Sequence, residues 1–135
     1  RKPFSELGHK QPPPFDSLII GLTADRSFLY RMVDRRVDEM MEYGFVPEVE
    51  KLIKMGYELT LPAMSGIGYR QVGKIIEGEL GKEAAVQKIK TETHRFIRHQ
   101  YAWFRPDDEK IHWFDIERKG NSEIEKTLAE YLKRE

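Results

Sequence analysis

The apolar positions of this chain change period several times, and each change marks an element. Residues 17–23 (SLIIGLT) are a short, nearly continuous apolar run, as a strand covered on both faces requires. From Asp25, a good N-cap, to Gly44, a good stop, the spacing turns helical. Pro47 suits the first turn of a short helix that runs to Gly56. Residues 59–65 read as a loop. Helical spacing returns through Ile67, Val72, Ile75 and Ile76 and stops at Gly78. Another helix starts near Lys82 and runs until Pro106 ends it. Residues 111–116 (IHWFDI) form a second strand candidate. Ser122 with Glu125 makes a capping box for a last helix, which should bury Ile124, Leu128 and Leu132. Residues 1–16, with Pro12, Pro13 and Pro14 in a row, read as a linker or the tail of another module.

The order is therefore strand, four helices, strand, helix: an α/β chain, mostly helical, with two strands and about five helices. Two lone strands so far apart are not expected to make a stable sheet by themselves. An all-apolar strand belongs inside a parallel sheet covered by helices, so the expected sheet draws its other strands from outside this sequence. At 135 residues the chain is one domain or a piece of one. It has no cysteine, which excludes disulfides and thiolate metal sites and fits a reducing cytoplasm. No apolar stretch approaches the ~20 residues of a membrane-spanning helix, so no membrane partner is expected. Acidic and basic side chains balance to a net charge of zero, so only the placement of charge can inform about partners.

Three placements are unusual. At about 100° per residue, the first helix puts Phe28, Leu29, Met32, Val33, Val37, Met40 and Tyr43 on one side, and Arg36 falls within that stripe. Asp34, Arg35 and Asp38 are expected to point away. An arginine aimed at a core needs an anion, either an internal carboxylate or a substrate phosphate held by its planar fork. Second, the helix from Lys82 has an apolar face of Ala85, Val86, Ile89, Phe96, Ile97 and Phe104, with Thr93 and Gln100 inside it. Lys88, Arg95, Arg98 and Arg105 lie opposite, His94 and His99 at the edges, and Glu92 is the single acid between Lys88 and Arg105. Tyr101, Trp103 and Phe104 crowd its end. Aromatics that stack bases beside cations that hold phosphates suit RNA, whereas a solvated basic face with core aromatics is the plainer alternative. His94 and His99 are five apart, one too many for a helical metal pair, and no metal site is assigned. Third, Gly66 and Gly68 in residues 65–71 (SGIGYRQ) open a helix, either for close approach of an anion or for a tight, packed turn. No phosphate-binding loop of the form GxxxxGK[ST] occurs in the chain.

Together these segments resemble one family. Arg26–Gly56 as a run, GIGYRQ (66–71), THRFIRHQYAWFR (93–105) and IHWFD (111–115) are similar to consecutive blocks of tRNA dimethylallyltransferases, in the family's order and spacing, and KPFSEL (2–7) is similar to a segment that precedes them. The resemblance covers nearly the whole chain. It implies transfer of a dimethylallyl group from dimethylallyl diphosphate to the exocyclic amine of the adenine 3′ of the anticodon. It also implies a P-loop-kinase-like parallel-sheet core, of which residues 17–135 would be the C-terminal part and residues 1–16 the tail of the helical insertion domain. Arg36 matches the family's diphosphate-binding arginine. Ser65, Gly66, Ile67, Gly68, Tyr69 and Arg70 match one tRNA-contacting stretch, and Arg98, His99, Gln100, Tyr101, Ala102, Trp103, Phe104 and Arg105 another. The implied partners are the tRNA anticodon stem-loop, dimethylallyl diphosphate and an N-terminal half of the same protein, with Mg²⁺ held mainly by that half and the diphosphate.

The chain departs from the pattern at His94 and His99, where the family usually has arginine, and at Ala102, commonly threonine. A neutral histidine still stacks and donates a hydrogen bond but is a poorer phosphate contact. The family's phosphate-binding loop and its general-base aspartate have no counterpart here, so no catalytic residue is assigned and the chain alone is expected to be inactive. A stand-alone helical RNA-binding module is the alternative, as is a purely structural half-domain.

Overall fold

The computed structural model describes residues 16–118 and 121–133. The proline-rich opening and the KPFSEL segment lie outside them. Two units share the chain: Arg1–Thr23 with Glu109–Glu135, and the continuous stretch Ala24–Asp108.

In the first unit, β1 (Ile19–Thr23) and β2 (Ile111–Asp115) pair in parallel, with Ile19 opposite Ile111 and Thr23 opposite Asp115. The strands expected to lack partners within this sequence are thus partners of each other, joined by a ladder that runs the length of both. Gly21 faces Trp113 across the ladder, and a Cβ there would lie 2.6 Å from the indole. The last helix, α5 (Asn121–Leu132), begins one residue before Ser122, so Ser122 sits inside the helix and does not cap it. Its half-buried positions are Ile124, Thr127 and Tyr131. Leu128 and Leu132, expected in the core, are 44% and 60% exposed.

The second unit holds four helices: α1 (Arg26–Glu42), α2 (Phe45–Lys54), α3 (Tyr69–Ile76) and α4 (Lys82–Trp103). A 3-10 turn, Pro62–Ser65, occupies the expected loop. The start of α1 is capped as its sequence suggests, Asp25 Oδ1 accepting the Ser27 N–H at 2.8 Å. Gly44, at φ 102°, ends α1 and turns the chain into α2. Met41, Phe45, Val49, Met64 and Val72 form the core, one or two from each of α1, α2, the 3-10 turn and α3. Val49 and Val72 are fully enclosed, a burial that stabilises by roughly 1.5–3 kcal/mol each. Ala85 and Ile89 bury only the N-terminal half of α4. Beyond it, Phe96 and Phe104, expected on an apolar inner face, are 53% and 56% exposed.

Candidate nucleic-acid interface

Beyond Ile89, α4 carries polar and aromatic residues around most of its circumference, and one side of it meets α1. Three pairs join the two helices. Arg98 Nη1 donates to the Tyr30 hydroxyl at 3.0 Å, His94 Nε2 lies 2.8 Å from Asp34 Oδ1, and Lys90 Nζ donates to the Asp38 carboxylate at 2.7 Å. Residues 30, 34 and 38 ascend α1 in steps of four while 98, 94 and 90 descend α4 in the same steps, so the helices run antiparallel and the pairs form a ladder. The His94 ring also stacks on Tyr30, centroids 4.0 Å apart and 6° from parallel. A carboxylate only accepts, so His94 Nε2 carries the proton in this contact. Two expectations change here. Asp34 and Asp38 do not point away from the protein but bond across to α4. His94 is turned toward α1 and away from the solvent face where a phosphate would come.

The opposite side of α4 is open beyond Glu92, whose side chain is 20% exposed. Glu92, Phe96, His99 and Trp103 recur at three- and four-residue steps and lie within about 40° of one line. Trp103 is 85% exposed, and Phe104, beyond the helix end, is free of the core as well. His99, Gln100 and Ala102 are exposed, while Tyr101 is half-buried. Arg105 forks onto Asp107, its Nε at 3.0 Å from one carboxylate oxygen and its Nη2 at 2.7 Å from the other. That hydrogen-bonded pair holds the Asp107 carboxyl below its usual range and raises Arg105.

Residues 65–70 form a corner between the 3-10 turn and α3. Ser65 Oγ donates to the Pro62 carbonyl at 2.7 Å, and Gly66 and Ile67 are exposed. Gly68 is buried at φ 102°, with the Phe45 ring where a Cβ would stand, 2.9 Å away. Its glycine is required by packing. Gly66 is different: its φ is −59°, and a Cβ there would have no atom nearer than 4.0 Å. Tyr69 meets Phe45 edge-on at 5.1 Å and donates its hydroxyl to Glu48 Oε1 at 2.6 Å, a bond to a carboxylate that raises the phenol above its ordinary value.

Arg70 and Gln71 carry this corner to α4. Arg70 Nη2 and Gln71 Nε2 both donate to Glu92 Oε2 at 2.8 Å, while Gln71 Oε1 accepts the Gly68 N–H at 2.8 Å. Gln71 is 1% exposed, and its amide is satisfied at both ends. Gln71 and Glu92 had no role assigned from sequence. Their signals were present, a glutamine inside the GIGYRQ block and a lone acid on a basic helix. What they touch is decided by tertiary packing.

Arg36 is exposed and has no carboxylate within ion-pair range among the described residues. Val37, from the expected stripe, is buried together with Met41, and Val33 and Met40 are half-buried beside them. Met32 and Tyr43 of that stripe are 42% and 85% exposed. The stripe is thus split: its Val33, Val37 and Met40 edge is buried or half-buried, its Met32, Arg36 and Tyr43 edge faces outward, and among the described residues no internal salt bridge meets Arg36. Nor do three His, Asp or Glu side chains gather there as a cation site would need, and none of the described helices is long and apolar enough to cross a membrane.

Comparison with known proteins gives a consistent picture. The family model described as IPP transferase matches residues 1–107. A tRNA dimethylallyltransferase of Dehalococcoides mccartyi is 46% identical over 129 residues, 96% of this chain and 40% of that protein. One of Thermomicrobium roseum is 38% identical, over 93% of this chain and 40% of its own length. Among solved structures, the tRNA delta(2)-isopentenylpyrophosphate transferase of Staphylococcus epidermidis superposes with a TM-score of 0.81 at 29% identity, over 90% of this chain and 39% of that one. The full-length tRNA isopentenylpyrophosphate transferase of Bacillus halodurans gives 0.80 at 30% identity, over 90% and 41%. The chain thus spans about two fifths of the relatives it matches.

Proposed function

The chain belongs to the IPP transferase family, and from that premise we propose that it is the tRNA-gripping part of a cytoplasmic tRNA dimethylallyltransferase. The observation that carries this reading is the open side of α4. Trp103 at 85% exposure, with Phe96 and Phe104, does not serve the core of this chain; His99 shares its side of α4, Arg105 follows two residues on, and Arg98 is exposed toward α1. Exposed aromatics flanked by cations stack unpaired bases and hold the phosphates between them, which suits an anticodon loop with its bases splayed. Ser65, Gly66, Ile67 and Arg70 add a second contact, and open space at Gly66 lets backbone approach backbone.

The reaction would form a bond between the adenine N6 and the allylic carbon while that carbon's bond to the diphosphate oxygen breaks. The adenine loses a proton to a base outside this chain. Arg36, solvent-facing and without an internal anion, would take the departing diphosphate with its planar fork, where negative charge grows. Mg²⁺ would neutralise the same diphosphate, held mainly by that diphosphate and by the N-terminal half that the family resemblance implies.

The test is made in the full-length protein with an anticodon stem-loop RNA. Trp103→Ala should weaken binding by the ~1–3 kcal/mol of one stacked base with the salt slope unchanged. Arg98→Ala and Arg105→Ala should each lower the slope by about one unit, the Arg105 effect being smaller if Asp107 keeps its fork in the complex. Wild-type affinity and slope in all three variants would end the assignment. RNA binding with no prenyl transfer by the full-length protein would instead favour a module without chemistry.

A further inference from the structure

Glu92 is out of place on an RNA-binding helix. It is the one acid between Lys88 and Arg105, and it shares a side of α4 with Phe96, His99 and Trp103. On a surface meant for phosphates a bare carboxylate repels the ligand. The structure gives it two partners, Arg70 Nη2 and Gln71 Nε2, both at 2.8 Å on the same oxygen. Its side chain is 20% exposed and that of Arg70 54%, so the carboxylate is largely covered while much of the guanidinium still faces solvent. Gln71, through its other amide atom, holds the N–H of Gly68. One carboxylate therefore fixes an arginine and, through a buried glutamine, the turn in front of it.

Resting on the reading of this face as an RNA interface, we infer that Glu92 is a positioning residue that joins the two RNA-contacting segments into one surface. Arg70 belongs to α3. Seated on Glu92, it lies at the start of the line that continues along α4 through Phe96 and His99 to Trp103. At ~1.5 Å per residue that line spans roughly 16 Å from Glu92 to Trp103. The guanidinium spends Nη2 on Glu92 and keeps Nη1 and Nε for a phosphate, a division that a planar five-donor group allows. The contact with RNA belongs to Arg70, and Glu92 acts through it.

The sign of the mutational effect separates this role from the plain alternative. Were Glu92 only an acid on a basic face, removing its charge would relieve repulsion and tighten RNA binding. A positioning role demands the opposite. In the full-length protein, with an anticodon stem-loop RNA as probe, Glu92→Gln should weaken binding on the order of tenfold and lower the salt slope by about one unit, as one phosphate contact is lost. KM for the RNA should rise with kcat little changed. Arg70→Ala should do the same, and the double variant should bind no worse than Arg70→Ala alone. Tighter or unchanged binding by folded Glu92→Gln, or additive losses in the double variant, overturns the role. Should Glu92→Gln fail to fold, Arg70→Lys decides. A lysine cannot serve carboxylate and phosphate in one plane, so binding at the Arg70→Ala level supports the role and wild-type binding overturns it. Failure of the unaltered protein to bind the stem-loop at low salt overturns the RNA interface itself, and this role with it.

Discussion

Arg36 lies on α1, the helix that also sends Val37 and Met41 into the core. Helical periodicity places it in an apolar stripe, where a desolvated charge needs an anion. Only the edge of the stripe that carries Met32, Arg36 and Tyr43 is exposed in this chain, and Arg36 has no internal carboxylate among the described residues. Arg36→Ala should then change stability by no more than about 0.5 kcal/mol, as surface substitutions do. In the full-length enzyme, single-turnover transfer should fall by about 10²–10³ through loss of charge stabilisation on the leaving diphosphate. Denaturant midpoints and single-turnover rates on the same variant check both halves, and a destabilised but normally fast enzyme refutes the assignment. Tyr69 gives a pH-dependent counterpart. Its hydrogen bond to Glu48 favours the neutral phenol and raises its folded pKa. That stabilisation is fully present below about pH 10, the ordinary phenol range, and is lost as pH climbs through the raised value. Followed by NMR of its ring, Tyr69 should ionise at higher pH in the wild type than in Glu48→Ala. Coincident titrations would mean that the bond is not formed in solution.

Among the elements, starts and stops were readable because their signals are local. Asp25 caps α1, Gly44 ends it, and α4 stops at Trp103, three residues before Pro106. Faces were less readable, because helical spacing shows that a face is apolar but not which partner covers it. On α1 the apolar stripe is wider than the part that is covered, and packing against α2 and α4 buries Val37 with Met41 while Met32 and Tyr43 stay exposed. The pairing of Asp34 with His94 depends on an antiparallel alignment of helices 60 residues apart, which no local pattern encodes. The 65–71 corner shows the same division within one short motif, since both glycines were visible but their separate roles were not. Gly68→Ala would place a Cβ against Phe45 at a φ of 102°, and should cost roughly 1–3 kcal/mol. Gly66→Ala should leave stability within about 0.5 kcal/mol and show its effect in RNA affinity instead. Equal shifts in denaturant midpoint would contradict this division.

At the scale of the molecule, the resemblance read from four sequence blocks and the match of residues 1–107 to the family agree, and the described residues hold two parallel strands and five α-helices, as expected. The activity of the complete relatives rests on more than this chain spans. Given dimethylallyl diphosphate, Mg²⁺ and unmodified tRNA, the 135-residue chain alone should yield no isopentenyladenine in digested product, because it contains no GxxxxGK[ST] loop. Appearance of that nucleoside would show that the chemistry needs nothing further. The parallel pairing of β1 with β2 also has a consequence in time. A ribosome that has finished Ile19–Thr23 must make all of Ala24–Asp108 before Ile111–Asp115 exists, a delay on the order of ten seconds at usual elongation rates. Throughout it, the amides and carbonyls of β1 lack the strand they will pair with in the finished chain, and its apolar side chains are open to aggregation or to a chaperone. The helical unit, continuous in sequence, can fold within that interval, shortening the loop that remains to be closed when β2 emerges.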